Sequence, residues 1–468
     1  MNKFSSYLKK KKGLLKELIS ELGNDYDFVS VLATDVKAKN YMTDKNMAMV
    51  VPSNITECGF ALRVYKDHKY YEYSFNEIKP NMIEQIRATL KEMIDDNMAI
   101  DDLNAKMIEE EQLVKKFKRN QKGHEFSDEE ILANLKEVVE YGLGLDKMVV
   151  NARTSVEFAE ISKMYLSLNK DLEQYYTWIN PRTFVLVNKE GNIKYSYDGF
   201  GTNNSDEVFP LLKKSMEATV KLAIELLDAK MAVPGTYTVI TDPSITGLIA
   251  HEAFGHGLEM DQFVKDRAKG KDYVGKVVAS KHVTMHDGAK AALSSASYFF
   301  DDEGTLAQDT VVIDKGILKG GLCDAVSASI LGVKPTGNGR RESYKRKVYT
   351  RMTNTFFDKK NKKLEDMIAS VKYGYYISIT NNGMEDPKNW GIQCTALYGR
   401  EIKDGKFTGN IISPVVMSGY VIDLLESISM VSSDTFDIIG SGSCGKGYKE
   451  WVRVSDGGAS IKAEVKIG

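Results

Sequence analysis

The sequence predicts an α+β fold, in which an α/β N-terminal domain with a helical insertion precedes a β-rich C-terminal domain. Two segments of the first half alternate apolar and polar residues around short turns, F-A-L-R-V-Y-K-D-H-K-Y-Y-E-Y-S-F at 60–75 and F-V-L-V-N-K-E-G-N-I-K-Y-S-Y at 184–197. This period of two is typical of β-hairpins. Residues 208–227 instead repeat apolar residues every three or four positions, which indicates a long amphipathic helix with one buried face.

The second half of the chain is predicted to consist mainly of strands. After a Pro-Gly pair at 234–235, hairpin signals recur, with turn residues at 314–316 and at 404–405. We therefore divide the chain into an N-terminal domain, residues 1–230, and a C-terminal domain, residues 231–468. The sheet of the second domain is expected to be mainly antiparallel.

Residues 77–148 of the first domain are predicted to be rich in helix. This insertion is highly charged and contains the run E-E-E-Q-L-V-K-K-F-K-R near position 110. Such a run is more typical of a solvated helix face than of a binding patch. We assign no function to it.

The composition argues against nucleic-acid and membrane proteins. The 468 residues are 43% hydrophobic and carry a net charge of −2, which allows sizeable cores and gives no overall attraction to polyanions. The basic N-terminus resembles the start of a signal peptide, but Lys16 and Glu17 interrupt its apolar stretch, so we expect an amphipathic first helix. The four cysteines form no C-x-x-C pair, which favours a reducing compartment. We expect a cytoplasmic protein.

The stretch S-I-T-G-L-I-A-H-E-A-F-G-H-G-L-E-M-D, residues 244–261, contains the candidate site. It follows a predicted strand, and Asp242 with Pro243 is typical of a helix start. His251 and His256 are five residues apart, whereas H-E-x-x-H zinc proteases place their histidines four apart. On an ideal helix, five residues separate the two imidazoles by about 140°, which is too far for both to reach one ion.

Glycines on both sides of the second histidine make the longer spacing workable. Gly255 and Gly257 would allow a wide turn or a helix end, which would swing the His256 imidazole back towards His251. We therefore predict that both histidines bind one metal ion. The alternative is that one histidine lies in the core and the other on the surface.

The residue types in this motif suit hydrolysis of a peptide bond. Neutral imidazoles suit zinc, which lowers the pKa of a bound water towards about 7. Glu252 directly follows the first histidine and is the candidate general base. It would accept the proton of the water and pass it to the leaving amine.

A catalytic zinc normally has three protein ligands, so a third ligand must come from outside the histidine pair. Glu259 lies three residues after the second histidine, and Cys444 lies in the flexible stretch I-I-G-S-G-S-C-G-K-G-Y-K. The residues alone favour neither of these two. Further candidates are Asp261, His282, His286 and the other cysteines.

Two motifs suggest rival functions. The stretch G-S-G-S-C-G-K-G imitates a phosphate-binding loop, but Gly447 replaces the Ser or Thr that would hold magnesium, and a strand-like segment follows where a helix is required. The basic run G-R-R-E-S-Y-K-R-K-V-Y-T-R at 339–351 carries the cations and aromatic rings that bind nucleic acid. In a neutral chain, this run is more consistent with a solvated surface or a cradle for substrate carbonyls and carboxylates.

Several separate blocks of the chain resemble the TldD/PmbA metallopeptidase family. These blocks are L-L-D-A-K, H-E-A-F-G-H-G-L-E, D-D-E-G-T, G-V-K-P-T-G-N-G-R-R-E-S-Y, R-M-T-N-T and G-S-C-G-K-G. The resemblance is dense from about 222 to 468 and loose in the N-terminal half. Residues 77–200, with their Lys/Glu-rich stretches and Y-Y-T-W-I-N-P-R-T-F, depart from the family pattern.

The family resemblance implies roles for four residues. Active members combine H-E-x-x-x-H with a cysteine from the C-terminal glycine loop as the third zinc ligand. Carried over, His251, His256 and Cys444 are the ligands, and Glu252 is the base. The resemblance also implies a closed cavity that admits unfolded or short peptides, bound as an added strand. Two histidines and a thiolate accept other divalent ions too, so zinc is an expectation.

The family resemblance also implies a partner. A TldD-like member with the metal motif pairs with a PmbA/TldE-like member without it, and this chain resembles the TldD-like kind. We expect a zinc-dependent peptidase that acts in a dimer, either a homodimer or a heterodimer with a PmbA/TldE-like paralogue. The alternative is a non-catalytic scaffold or regulator subunit of a DNA-associated or peptide-processing complex.

Overall fold

The computed structural model describes residues 3–100, 103–447 and 450–468. Its two halves each contain one large sheet. The N-terminal half contains α1 (Ser6–Leu22), β1 (Phe28–Asp44), β2 (Ala48–Pro52), β3 (Glu57–Lys66), β4 (Lys69–Phe75), α2 (Ile83–Asp95), β5 (Leu113–Arg119), α3 (Asp128–Gly144), β6 (Val149–Ser167), β7 (Lys170–Lys189), β8 (Asn192–Gly199) and α4 (Val208–Glu225).

The strands of the N-terminal sheet run in the order β4-β3-β1-β6-β7-β5, with β2 beside β1 and β8 beside β7. The two predicted hairpins are confirmed as β3–β4 and β7–β8, and the predicted long helix is α4. The predicted amphipathic first helix is α1, which buries Leu8, Leu15 and Leu18 on one side.

The two faces of the N-terminal sheet have different partners. Val29 and Val31 of β1 pack on one face, where α1 and α2 cover the sheet. Val36 and Ala38 point to the opposite face and pack with Tyr298 of the C-terminal half. Because side chains alternate between faces along a strand, one sheet joins its own helices to the second half of the chain.

One prediction for the charged insertion was wrong. Leu113–Arg119 forms β5, which pairs with β7 in parallel, and not a helix face. Leu113 and Phe117 pack against the cluster around Phe300, while the lysines between them remain exposed. Exposed charges on an edge strand oppose pairing with another chain, and this accounts for a charged strand at the sheet edge.

The strand predicted before the histidine motif is present as β9, the first strand of the C-terminal half. Its elements are β9 (Gly235–Thr241), α5 (Pro243–Leu248), α6 (Met260–Val264), β10 (Met285–Asp287), β11 (Thr310–Asp314), β12 (Ile317–Leu318), α7 (Ala325–Leu331), β13 (Gly339–Arg340), β14 (Tyr349–Thr350), β15 (Asn354–Phe357), α8 (Leu364–Ala369), β16 (Tyr373–Asp386), β17 (Gly391–Lys403), β18 (Lys406–Ile412), β19 (Val415–Tyr420), α9 (Val421–Ser427), β20 (Met430–Lys446) and β21 (Glu450–Ile467).

The main sheet of this half is largely antiparallel and follows the order β12-β11-β10-β15-β21-β19-β17-β16-β9, with β18 beside β17 and β20 beside β21. Parallel pairs occur at β15–β21 and β16–β9. The predicted hairpins are confirmed as β11–β12 and β17–β18. The α+β class is therefore confirmed, while the domain boundary at 230/231 stays a prediction.

Buried ion pairs join the two halves. Asp302 and Glu303 of the D-D-E-G-T block pair with Lys163 and Arg63 of the N-terminal sheet. Glu72 accepts hydrogen bonds from Arg63 at 2.9 Å and from Arg341 at 2.8 Å. A buried charge is costly unless it is paired, so these contacts specify how the halves dock. No helix in the described parts of the chain is long and apolar enough to cross a membrane.

The close approach of α5 to β21 gives a stability prediction. A Cβ on Gly247 would collide with the backbone of Gly457, whereas a Cβ on Gly13 in α1 would have no atom within 4 Å. We expect Gly247→Ala to lower the free energy of unfolding by about 3 kcal/mol, because packed backbone must shift. Gly13→Ala, the matched control, should raise it by up to about 1 kcal/mol. Denaturant unfolding of both variants tests this, and equal effects would contradict it.

Candidate metal centre

The helix that carries the two histidines starts as the sequence predicts. The Asp242 carboxylate accepts a hydrogen bond from the Ile245 amide at 2.8 Å, and Pro243 occupies the first turn. This cap satisfies an amide that a helix start leaves without a partner. The helix packs on β21 and β16 in the centre of the C-terminal half.

The local change between the two histidines is a π-helical turn. After α5, residues Ile249–Gly255 form a π-helix, and the His256 amide donates to the His251 carbonyl five residues earlier. Such a turn holds one residue more than an α-helical turn, which brings side chains five apart close together. The His251 and His256 ring centroids are 5.1 Å apart.

The two glycines are needed here for space. Gly255 has a φ of −62°, which any residue can adopt. A Cβ at Gly255 would overlap the sulfur of Met352, and a Cβ at Gly257 would lie 2.5 Å from Oε1 of Glu385. The predicted wide turn is therefore present, but its glycines are explained by crowding rather than by backbone freedom.

Cys444 joins the two histidines from β20. The candidate ligand atoms of the three side chains all lie within 4.8 Å of one another, and Cys444 Sγ is 3.4 Å from His256 Nε2. His251 and Cys444 are buried, and His256 is half-buried. Two imidazoles and a thiol are a donor set that suits zinc and other borderline divalent ions.

The electrostatics of the three side chains favour the thiolate. Burial alone would raise the pKa of the Cys444 thiol, but the neighbouring His256 and His251 outweigh burial and hold this pKa well below its usual range. In the opposite sense, burial would lower the pKa of His251, yet Cys444 raises it to about 9. A thiolate is the form of cysteine that binds metals.

Glu259 lies behind His256 rather than beside Cys444. Its carboxylate Oε2 is 3.0 Å from His256 Nδ1, the ring nitrogen opposite the one that faces the sulfur. The Lys446 ammonium donates to Glu259 at 2.9 Å and to Asp261 at 2.7 Å. Of the two candidates that the residues alone left level, Cys444 therefore lies in the cluster of converging ligand atoms, and Glu259 contacts the outer nitrogen of His256.

The other candidate ligands lie elsewhere. His286 Nδ1 is 2.8 Å from Asp309, and its ring stacks on Phe356. Asp261 pairs with Lys446, and His282 is outside the cluster of converging ligands found among the described residues. Cys58 is exposed, and the remaining free cysteines, Cys323 and Cys394, are buried outside this cluster.

Three arginines of the basic run at 339–351, Arg340, Arg341 and Arg351, turn inward, which sequence reasoning did not anticipate. Arg351 is fully buried and donates to the backbone carbonyls of Cys444 at 2.6 Å and Glu450 at 3.1 Å. Arg340 donates to the carbonyls of Met352 and Arg453. These contacts hold the strand that carries the thiol. No sequence signal distinguishes such an arginine from a surface one, since the same run also contains the exposed Lys345 and Arg346.

Glu252 faces a cleft together with His251. Its Oε2 lies 4.0 Å from His256 Nε2, and its stem packs where a Cβ of Gly383 would be. The cleft has a volume of about 730 Å³ and lies between the two halves of the chain. Asp456 also lines it, and burial raises the pKa of this carboxyl to about 6.

Glu385 is a further buried carboxyl beside the histidine turn. Its Oε2 accepts a hydrogen bond from the Gly257 amide at 2.9 Å, and burial raises its pKa to about 8 although His256 opposes the shift. The sequence held no signal for this residue, because β16 is distant from the histidine motif along the chain.

Comparison with known proteins agrees with the geometry. The family model of the PmbA/TldA metallopeptidase C-terminal domain matches residues 234–465. A metalloprotease TldD homologue of Buchnera aphidicola is 36% identical over 248 residues, which is 52% of this chain and 50% of that protein. A metalloprotease of Methanocaldococcus jannaschii is 31% identical over 59% of this chain and 60% of its own length. The chain thus spans about half the length of the Buchnera relative.

Solved structures share the fold across both halves. TldE from Thermococcus kodakarensis is 18% identical with a TM-score of 0.74, covering 97% of this chain and 99% of its own. A Bacteroides thetaiotaomicron protein described as a candidate modulator of DNA gyrase is also 18% identical, with a TM-score of 0.77 over 98% of this chain and 99% of its own. The sequence matches place residues 234–465 in the PmbA/TldD family, and the solved structures show that the whole chain has the fold of TldE and of the Bacteroides protein.

Proposed function

We propose that this protein is a zinc-dependent peptidase that hydrolyses peptide bonds in short or unfolded, extended peptides. The observation that carries the proposal is the convergence of His251, His256 and Cys444 within 4.8 Å, next to Glu252 at the cleft. The metalloprotease names of the relatives support it as well.

The residues present fit a zinc ion. His251 Nδ1 is buried and has no hydrogen-bond partner among the described residues. His251, His256 and Cys444 would be the ligands, in agreement with the usual three protein ligands of a catalytic zinc. When bound, zinc would act as a Lewis acid towards the scissile carbonyl and towards water.

Glu252 would move the proton. Its carboxylate lies at the cleft and is positioned by packing against Gly383. It would accept a proton from the attacking water and deliver it to the nitrogen of the leaving amine. His256 keeps its orientation through Glu259, because that carboxylate accepts a hydrogen bond from Nδ1 and leaves Nε2 facing Cys444.

Strand edges beside the cleft suit an extended peptide. In the described structure, β16 pairs with β9 only over Gly374–Ile377, whereas its later residues up to Asp386 pair with β17 alone. Asn382 and Gly383 of this open edge line the cleft. A peptide that adds as a strand would gain main-chain hydrogen bonds that are independent of its sequence.

A dimer is also part of the proposal, either a homodimer or a heterodimer with a PmbA/TldE-like paralogue. The support is the fold shared with TldE from Thermococcus kodakarensis. The gyrase-modulator description of the Bacteroides thetaiotaomicron protein motivates the alternative of a non-catalytic regulator subunit. Measurements of peptide cleavage and of metal content distinguish the peptidase from the regulator subunit.

Glu252→Gln should abolish most peptide hydrolysis and leave metal binding intact. The amide cannot accept the proton, and loss of a general base costs about 100-fold to 10,000-fold in rate. Cleavage of a mixed pool of unfolded peptides, followed by mass spectrometry, measures this. The control is Glu92→Gln on the exposed face of α2, which should match wild type. Equal activity of Glu252→Gln and wild type would remove Glu252 from the mechanism.

Cys444→Ser should lose zinc. A neutral hydroxyl is a much weaker zinc ligand than a thiolate, so the metal content should drop from about one zinc per chain in wild type towards zero. Elemental mass spectrometry of freshly purified protein measures the content. The control is Cys58→Ser, an exposed cysteine outside the cluster. A full zinc content in Cys444→Ser would show that another residue is the third ligand. A wild-type protein that holds no metal and cleaves no peptide, but binds a partner, would favour the alternative of a non-catalytic regulator subunit.

Glu259→Gln should weaken zinc binding without removing a ligand. Loss of a carboxylate that orients a ligating histidine typically costs about 10-fold to 100-fold in metal affinity. Competition with a chromogenic chelator measures this affinity. The comparison is Asp309→Asn, which breaks the equivalent carboxylate–histidine contact of His286 outside the cluster and should leave zinc affinity unchanged. Unchanged affinity in Glu259→Gln would remove its positioning role.

A further inference from the structure

We propose that Arg153 and Arg182 form a carboxylate-binding subsite in the cleft, so that this protein selects peptides that present a carboxylate a few residues from the cleaved bond. The inference rests on the proposed peptidase function and names its substrate class. The shared chemistry is a carboxylate, which a peptide can supply through its C-terminus or through an acidic side chain.

The sheet register places the two arginines side by side. Arg153 of β6 pairs with Phe184 of β7, and Ser155 pairs with Arg182, so the two arginines are diagonal neighbours on one face. Diagonal neighbours on antiparallel strands are about 7 to 8 Å apart, which is within reach of long side chains. All four residues line the same cleft as His251 and Glu252.

Both guanidinium groups keep donors for a ligand. Arg182 uses one nitrogen, Nη2, to donate to the Ser441 carbonyl at 2.6 Å. Arg153 has only a 3.5 Å contact with Asp44. Within the described parts of the chain, neither guanidinium has another hydrogen-bond or ion-pair partner, and both residues are exposed. A guanidinium carries five donors in a fork that matches a carboxylate, so the pair can bind one.

The charges that line the cleft determine which of its two walls attracts a carboxylate. The wall from the N-terminal half carries both arginines and one carboxylate, Asp198, which accepts a hydrogen bond from Ser215 Oγ at 2.7 Å. The wall from the C-terminal half carries four carboxylates: Asp242, Glu252, Asp437 and Asp456. A ligand carboxylate is therefore attracted to the wall with the two arginines. Phe184 and Tyr197 lie beside the arginines on the same wall and offer apolar surface to a neighbouring side chain.

The hydrogen bond from Arg182 to the Ser441 carbonyl fixes how far the carboxylate subsite lies from the cluster of His251, His256 and Cys444. Ser441 precedes Cys444 by three residues on β20. A strand rises about 3.3 Å per residue, so the contact lies about 10 Å from the cluster, or about three residues of an extended peptide. At the same rise of about 3.3 Å per residue, a peptide whose C-terminal carboxylate binds the arginines would be cleaved about two to three residues from its end.

The test is a binding experiment that needs no hydrolysis. Fluorescently labelled peptides of about six residues, which fit the cleft, are titrated against Glu252→Gln protein by anisotropy. The set contains one sequence with a free C-terminus, the same sequence amidated, and the amidated sequence with one glutamate near its end. Peptides with a carboxylate should bind about tenfold tighter than the neutral peptide, and Arg182→Gln or Arg153→Gln should abolish most of this preference.

Arg87→Gln serves as the matched control, because Arg87 lies on α2 at the helix-covered face of the same sheet. It should leave the preference unchanged. Tight binding of only the free acid assigns the subsite to the C-terminus, whereas tight binding of the glutamate peptide assigns it to an acidic side chain, and both support the subsite. Equal binding of all three peptides, or a preference that survives both arginine variants, would overturn it.

Failure of the carboxylate subsite can be distinguished from failure of the proposed peptidase function. If wild type binds carboxylate peptides selectively but cleaves none, the peptidase proposal fails and the subsite stands. If wild type cleaves acid and amide peptides with equal kcat/KM and the arginine variants do so too, the subsite fails and the peptidase proposal stands.

Discussion

The hydrogen bond from the His256 amide to the His251 carbonyl is the constraint on which the candidate centre depends. π-helical turns are rare and occur mostly as single turns within α-helices, so we attribute this one to its surroundings. Here the turn is enclosed by β15, β16, β17 and β21, and side chains of Met352 and Glu385 fill the space that a Cβ at either glycine would need. The packing of the sheet therefore maintains the histidine spacing that an isolated helix would not hold.

Acidic and basic side chains alternate along a row beside this turn. The Cys444 sulfur faces His256, whose far nitrogen meets Glu259, and Lys446 neutralises Glu259 and Asp261. Each member of such a buried row stabilises its neighbours, and removal of one leaves an unpaired charge. Because Lys446 and Cys444 share one strand, the backbone contact from Arg351 positions both the first and the last member of the row.

Much of the fold and part of the site could be predicted from local patterns. Hairpins with Asp-Gly turns, the Asp242 cap and the histidine pair depend on residues that are close in sequence, and local chemistry determines them. Strand β5 was missed because four of its seven residues are charged and its three apolar residues do not alternate with them, so tertiary packing decided its structure. The positions of Arg351 and Glu385, and the diagonal proximity of Arg153 to Arg182, depend on strand neighbours that are remote in sequence, so no local pattern revealed them.

The ion pairs of Asp302 and Glu303 with Lys163 and Arg63 join residues 234–465, which the family model matches, to the N-terminal half. A buried cation that loses its anion is destabilised, so substitutions on the two sides of this contact are coupled. The N-terminal sheet is thus constrained on both faces, on one by the packing of its own helices and on the other by the charges of the C-terminal half. A substitution in the N-terminal half can therefore disturb the cleft without touching it, because the cleft forms only where the two halves dock.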